Sequence, residues 1–247
     1  MRVICVIPAR YSSSRFEGKP LADICGKPMI QRVYERALRS RTVSDVVVAT
    51  DDERIFDAVK RFGGRVVMTS TAHRSGTDRI AEAVSGLSAA DGDIVVNIQG
   101  DQPLFEPSQI DEVVKPLIDN PSVDFSTLIY RIRRAEEVTD PNAVKVVFDR
   151  EHFALYFSRS PIPCFRDAGA SPVYYKHHGI YAYRKSFLST FTKLAEGYLE
   201  RSEALEQLRA MEHGFRIKVV ETRQDSIEVD TPQELERVRE IYKKEKD

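Results

Sequence analysis

The chain has 247 residues, enough for one large domain or two small ones. At 42% hydrophobic and 30% charged residues it is an ordinary folding composition, which excludes intrinsic disorder. Thirty-seven Lys and Arg against 38 Asp and Glu leave a net charge of −1, so no general basic face for nucleic acid is indicated, and any bound anion must meet a local cluster of cations.

Short β-branched runs alternate with amphipathic stretches through the first half. Val3–Ile7, Asp45–Thr50, Arg65–Met68 and Asp93–Ile98 read as strands, and Gln31–Arg41, Glu53–Phe62, Thr77–Leu87 and Ser108–Ile118 as helices. Such alternation predicts an α/β fold, a mostly parallel central sheet with helices on both faces. The rhythm then changes. Phe125–Ile132, Val144–Phe148, Ala154–Phe157, Gly179–Tyr183 and Ile217–Glu221 are strand-like with fewer helices between them, and read as a small β-rich insertion plus the far edge of the same sheet. A last helix, Pro232–Lys244, opens on the cap signature Asp230-Thr231-Pro232-Gln233-Glu234. No linker, repeat or low-complexity tract divides the chain, so one domain is expected.

The opening run Met1–Pro8 is too short for a signal peptide, and no apolar run of membrane-spanning length occurs. Cys5, Cys25 and Cys164 are odd in number and lack CxxC spacing, which disfavours a disulfide framework or a zinc site. Together these features predict a cytoplasmic protein.

Ligands of an open α/β sheet bind beyond the carboxyl ends of its strands, which groups Pro8–Lys19, Asp51, Thr69–Arg79 and Gln99–Pro103 around one crevice. The first loop carries Arg10, Arg15, Gly18 and Lys19 directly after the first strand. It reads either as a polyphosphate cradle or as a solvated loop, and its spacing is not that of a Walker A motif. Asp101, in Gln99-Gly100-Asp101-Gln102-Pro103, suits a Mg²⁺ ligand or a turn residue. Asp230 is a second acid for the same ion or a helix N-cap. Ser75 and Gly76, in Arg74-Ser75-Gly76-Thr77-Asp78-Arg79, meet a nucleotide or form a capping turn, with Arg79 pointing back into the crevice. His177 and His178 are adjacent on a strand and face opposite ways, so one of them can meet a polar substrate but both cannot hold one metal. No nucleophile elbow or Ser–His–Asp pattern occurs, which disfavours covalent catalysis.

Taken in order, these segments resemble the 3-deoxy-manno-octulosonate (Kdo) cytidylyltransferases. The resemblance rests on Ile7-Pro8-Ala9-Arg10, Gly18-Lys19-Pro20-Leu21, Ser75-Gly76-Thr77-Asp78-Arg79 and Gln99-Gly100-Asp101-Gln102-Pro103. It continues through Phe157-Ser158-Arg159-Ser160-Pro161-Ile162-Pro163, Lys176-His177-His178-Gly179-Ile180-Tyr181, Leu205-Glu206-Gln207-Leu208-Arg209 and Val229-Asp230-Thr231-Pro232. The opening loop is shared by many sugar nucleotidyltransferases, whereas the Ser-Arg-Ser-Pro-Ile-Pro and Leu-Glu-Gln-Leu-Arg segments are much more specific to the Kdo branch. The resemblance implies a Mg²⁺-dependent reaction of CTP with Kdo that gives CMP-Kdo and pyrophosphate for the inner core of lipopolysaccharide. It implies that Pro8, Ala9, Arg10, Arg15, Lys19, Ser75, Gly76 and Arg79 bind the nucleotide, with Arg10 and Lys19 also catalytic. Asp101 and Asp230 are the implied metal ligands, and Gln99, Arg159, His177, Glu206 and Gln207 the implied sugar contacts. It further implies a homodimer, with a nucleotide-binding part over about residues 1–120 and a sugar-binding and dimerisation part over about 121–230.

Two residues depart from the family pattern. Gln102 stands where the family usually has Glu, and is expected to tune the metal site from behind its ligands. His178 stands where an aliphatic residue is usual. A related acidic sugar, either an amino-substituted Kdo or a sialic acid, is the nearest rival substrate, and the sugar-side segments favour Kdo over sialic acid. A silent nucleotide-sensing protein is the rival from another class. Two acids at the sugar–phosphate junction argue against it, because binding alone does not need them.

Overall fold

In the computed structural model, which describes residues 1–12, 16–73, 75–166 and 173–244, the apolar run after Arg2 forms β1 (Val3–Ala9), buried along its whole length. A short hairpin of β2 (Asp23–Ile24) and β3 (Lys27–Pro28) leads into α1 (Met29–Ala37). Then come β4 (Asp45–Thr50), α2 (Glu53–Arg61), β5 (Val66–Met68), α3 (Gly76–Ser85), β6 (Ile94–Asn97) and α4 (Pro107–Asp119). These match the predicted elements closely, because continuous apolar strands and helices of nine residues or more carry readable periods.

The second half holds β7 (Phe125–Arg131), α5 (Glu136–Thr139), β8 (Lys145–Phe148), β9 (Ala154–Ser158) and β10 (Tyr175–Arg184). It ends with α6 (Lys185–Phe191), α7 (Tyr198–Glu203), α8 (Gln207–Glu212), β11 (Lys218–Thr222) and α9 (Pro232–Lys244). Helices α5 to α8 run four to seven residues, too short to show a helical period in sequence.

Strands order as β11-β7-β10-β6-β1-β4-β5, with β8 and β9 branching from β10. β1 pairs in parallel with β4 on one side and β6 on the other, so the strand order reverses beside β1 and a crevice opens there. As expected of the second half, β10, β7 and β11 form the far side of the sheet and β8 and β9 the insertion, with β10 running antiparallel between β6 and β7 and so joining the two halves.

Alternate side chains of the central strands enter opposite cores. Cys5, Ile7, Val46 and Val48 pack with residues of α1, α2 and α4, while Ile4, Val6, Ala49 and Val95 pack with residues of α3 and α6. Both faces of the sheet are therefore covered by helices, as expected of an α/β fold. A third cluster joins Val229, Leu235 and Val238 to Ile24 and Met29. Burying each of these side chains contributes roughly 1.5–3 kcal/mol. The Tyr242 hydroxyl adds a hydrogen bond to the Pro103 carbonyl at 2.6 Å. This packing draws the start of α9 against the turns that follow β1 and β6. Among the described residues no helix is long and apolar enough to cross a membrane.

Candidate active site

Three turns meet at the crevice. Gly18, in the left-handed region at φ 70°, delivers Lys19 as the first residue of a short 3₁₀ turn. A Cβ at Gly18 would also press on the Tyr11 ring at 3.1 Å. After β6, Gly100 passes so close to β1 that a Cβ there would sit 3.1 Å from the Pro8 carbonyl oxygen, and this approach sets Asp101 beside Lys19. The third turn carries Asp230. Lys19 Nζ lies 2.6 Å from Asp101 Oδ2 and 3.1 Å from Asp230 Oδ1, joining residues 211 positions apart. Desolvation of Lys19 opposes its charge, but Asp101 and then Asp230 outweigh it and hold the ammonium above the ordinary lysine range.

The alternative for Asp230, a helix cap, falls to its neighbour. The Thr231 hydroxyl accepts from the Glu234 backbone N–H at 3.3 Å, and Glu234 accepts from the Thr231 N–H at 2.8 Å. With that capping box in place, the Asp230 carboxylate turns to Lys19. The Asp101 carboxylate meets Lys19, and the Asp101 carbonyl accepts the Val229 N–H at 2.9 Å.

A cleft of about 280 Å³ is lined by Pro8, Ala9, Arg10, Lys19, Gly76, Gln99, Gly100 and Asp101, which brings five of the nucleotide candidates, Pro8, Ala9, Arg10, Lys19 and Gly76, together. Arg10 donates to the carbonyls of His73 (2.5 Å) and Ser75 (3.2 Å) and so ties the loop before α3 to the end of β1. Ser75 is the N-cap of α3, its hydroxyl accepting from the Asp78 N–H at 3.1 Å. Gly76, first residue of α3, faces Pro8, so this helix start forms a wall of the cleft. Arg15 lies outside the described residues.

Arg79 sits differently from the expectation that it points back into the crevice. Its side chain is fully buried, hydrogen-bonded to Thr69 and paired with Asp51 at 2.6 Å. From there it braces the ends of β4 and β5 behind the cleft. Removing one partner of a buried ion pair costs about 3–5 kcal/mol, so Arg79→Ala should lower thermal stability sharply. A melting curve checks this. A variant as stable as the parent with impaired CTP binding would return Arg79 to direct contact.

Of the sugar candidates, Gln99 lines the nucleotide cleft, while Glu206, Gln207 and His177 stand on α8 and β10. Glu206 and Gln207 stand at the start of α8, and from a helix end both can reach one ligand. Thr77 donates to Glu206, linking α8 to the nucleotide wall at α3. Burial raises the Glu206 carboxyl above its ordinary range despite hydrogen bonds that favour its charge. The half-buried His177 meets Thr127 Oγ1 through Nε2 at 2.9 Å, with the Phe157 and Tyr181 rings each 5.2 Å away. Desolvation of this ring, then the neighbouring His178, pulls its pKa down to about 3, so it is a neutral imidazole at neutral pH. Arg159 donates to the carbonyls of Glu203 (2.6 Å), Pro141 (2.9 Å) and Ala204 (3.2 Å), and remains half-exposed. Gln99 donates to Asn97 Oδ1 at 3.2 Å.

Three residues join the site that motif reading does not single out. Tyr181 donates to Gln207 Oε1 at 3.4 Å and lies beside His177, and its place on the strand after the paired histidines is the signal that could have found it. Thr77 holds Glu206. Glu228, two residues before Asp230, accepts from Gln102 Nε2 at 2.8 Å. Desolvation of its carboxyl, followed by the charges of Asp101 and Asp230, pushes it up to about 7.

Among the described residues no set of three or more His, Cys, Asp and Glu side chains is arranged to hold a metal ion. Two carboxylates converging from separate turns do fit Mg²⁺. That ion commonly takes one or two protein carboxylates and fills its remaining positions with phosphate oxygens and water.

Comparison with known proteins places this geometry. Residues 4–221 match the family model described as cytidylyltransferase. A 3-deoxy-manno-octulosonate cytidylyltransferase of Syntrophus aciditrophicus is 67% identical over 97% of each chain. One of the same name from Geotalea uraniireducens is 54% identical, covering 99% of this chain and 100% of that one. A solved structure of CMP:2-keto-3-deoxy-manno-octonic acid synthetase in complex with CTP superposes with a TM-score of 0.93 at 46% identity, over 99% of this chain and 100% of the other. With its crevice beside β1, its Lys19–Asp101–Asp230 convergence and these near full-length likenesses, the chain belongs to the cytidylyltransferase family, in the 3-deoxy-manno-octulosonate cytidylyltransferase branch.

Proposed function

We propose that the protein transfers the cytidylyl group of CTP to Kdo, releasing pyrophosphate and forming the activated sugar used for the lipopolysaccharide inner core. The observation that carries this reading is the convergence of Asp101 and Asp230 on Lys19 at the cleft beside β1. The anomeric oxygen of Kdo forms a bond to the α-phosphorus, the bond from that phosphorus to the β-phosphate oxygen breaks, and the hydroxyl proton is released. Negative charge gathers on the phosphoryl oxygens, so positioning and electrostatic stabilisation dominate.

Lys19, Arg10 and Arg15 supply positive charge to the triphosphate. Pro8, Ala9, Ser75 and Gly76 shape the nucleotide cleft, and Arg79 braces it from behind. Asp101 and Asp230 would hold Mg²⁺, which when bound neutralises phosphate charge and favours ionisation of the attacking hydroxyl. Arg159 pairs with the sugar carboxylate, while Gln99, neutral His177, Glu206 and Gln207 orient its hydroxyls. The nucleotide belongs to about residues 1–120 and the sugar to about 121–230 of a single domain. A second copy of the chain is the proposed partner, with exposed Leu155, Phe165 and Val173 offering apolar surface in the sugar-binding half. The cysteines Cys5, Cys25 and Cys164 are free, which suits a reducing compartment, and we assign the reaction to the cytoplasm.

Pyrophosphate release from CTP and Mg²⁺, followed with Kdo, with an amino-substituted Kdo, with a sialic acid and with no sugar, tests the reading. Release is expected to require a sugar and to be fastest with Kdo. Release that ignores the sugar would remove the sugar wall from the mechanism, and a preference for one of the other two acids would reassign the substrate.

A further inference from the structure

The turn after β6 and the strap before α9 are joined by two rungs. In the first, the Val229 N–H donates to the Asp101 carbonyl at 2.9 Å. In the second, Gln102 Nε2 donates to Glu228 Oε1 at 2.8 Å. Each rung lies next to a candidate metal ligand, because Gln102 follows Asp101 and Val229 precedes Asp230. The far end of the strap is anchored separately. Gln109 Nε2 donates to the Gln224 carbonyl at 3.0 Å, and Asp225 meets His178 Nε2 at 3.2 Å and Lys176 Nζ at 2.9 Å.

The geometry points to Gln102 and Glu228 as a matched pair of positioning residues that fixes the separation of Asp101 and Asp230. Gln102 is fully buried, and its Oε1 has no hydrogen-bond partner, so its amide serves through the donor end alone. A carboxylate at position 102 lacks that donor. It would instead set a negative group against Glu228, in a slot already flanked by Asp101 and Asp230, and repulsion would push the strap outward. The slot is also lined by Gly179, where an added Cβ would lie 3.7 Å from both Gln102 Nε2 and Glu228 Oε1, so the pair is packed from the strand side as well. The amide at 102 is therefore the partner that Glu228 requires, and His178 holds the strap that presents Glu228.

This inference rests on the proposed roles of Asp101 and Asp230, and its test includes a readout independent of them. The experiment compares Gln102→Glu, Gln102→Leu and the exchange Gln102→Glu/Glu228→Gln by steady-state kinetics and by hydrogen–deuterium exchange of the substrate-free protein. Gln102→Glu is expected to lower kcat between about 10- and 100-fold, with the KM for CTP near its parental value. It should also speed exchange at the Val229 amide. Gln102→Leu removes the rung without adding a buried charge, and should speed the same exchange. The exchanged pair re-forms the hydrogen bond with donor and acceptor reversed, so it should recover most of the kcat and restore slow exchange. Parental exchange at Val229 in both single variants, or an exchanged pair no better than Gln102→Glu alone, would overturn the pairing. The exchange readout needs neither substrate nor metal, so it separates that result from failure of the cytidylyl-transfer reading.

Discussion

Asp101→Asn and Asp230→Asn each lose on the order of a hundredfold or more in kcat, with little change in melting temperature. An amide keeps the shape of the carboxylate but not the charge that balances a divalent cation beside phosphates. The effect on folding is far smaller. Both side chains are about a quarter exposed, at 26% and 28%, so their ion pairs with Lys19 are screened and contribute about 1 kcal/mol or less. The charge therefore matters to turnover and barely to the fold. Measuring kcat across a Mg²⁺ titration, alongside thermal melts, tests this. Near-parental turnover at saturating metal would remove that residue from the site.

Lys19→Ala loses about 2–4 kcal/mol of transition-state stabilisation, the usual scale for one preorganised charge acting on a transferring phosphoryl group. The same substitution leaves Asp101 and Asp230 facing one another without the ammonium between them. Affinity for a divalent cation should therefore hold or increase while kcat/KM for CTP falls. That opposition of signs is the informative part. A lysine whose only role was to neutralise two acids would leave turnover intact at saturating Mg²⁺, and kinetics of that form would assign the phosphates to other cations.

The parallel half of the fold was legible because its strands are apolar throughout and its helices long enough to repeat their pattern. Runs such as Val46-Val47-Val48 leave little freedom once both faces of a sheet are covered. The place of β10 was not legible. It pairs with β6 across more than eighty residues and with β7 across about fifty, and no local pattern encodes which strands a distant segment will separate. The acids of the site could be read from their turns, but not the division of labour within them. Only the geometry shows that Thr231 does the capping and that Asp230 turns inward. The direction of Arg79 was not legible for a related reason, since a cation near a crevice reads as pointing into it until its burial against Asp51 is known. Glu228 and Thr77 take their roles from partners 126 and 129 positions away, beyond the reach of motif spacing.

The most direct test of the central claim is a crystal structure of the protein with a non-hydrolysable CTP analogue, Kdo and Mn²⁺, the ion located by its anomalous signal. The expected ion is bound to carboxylate oxygens of both Asp101 and Asp230 at about 2.1 Å, with an α-phosphate oxygen as a further ligand and the Kdo carboxylate near Arg159. An ion held by the phosphates alone, with Asp101 and Asp230 still closed on Lys19, would contradict it.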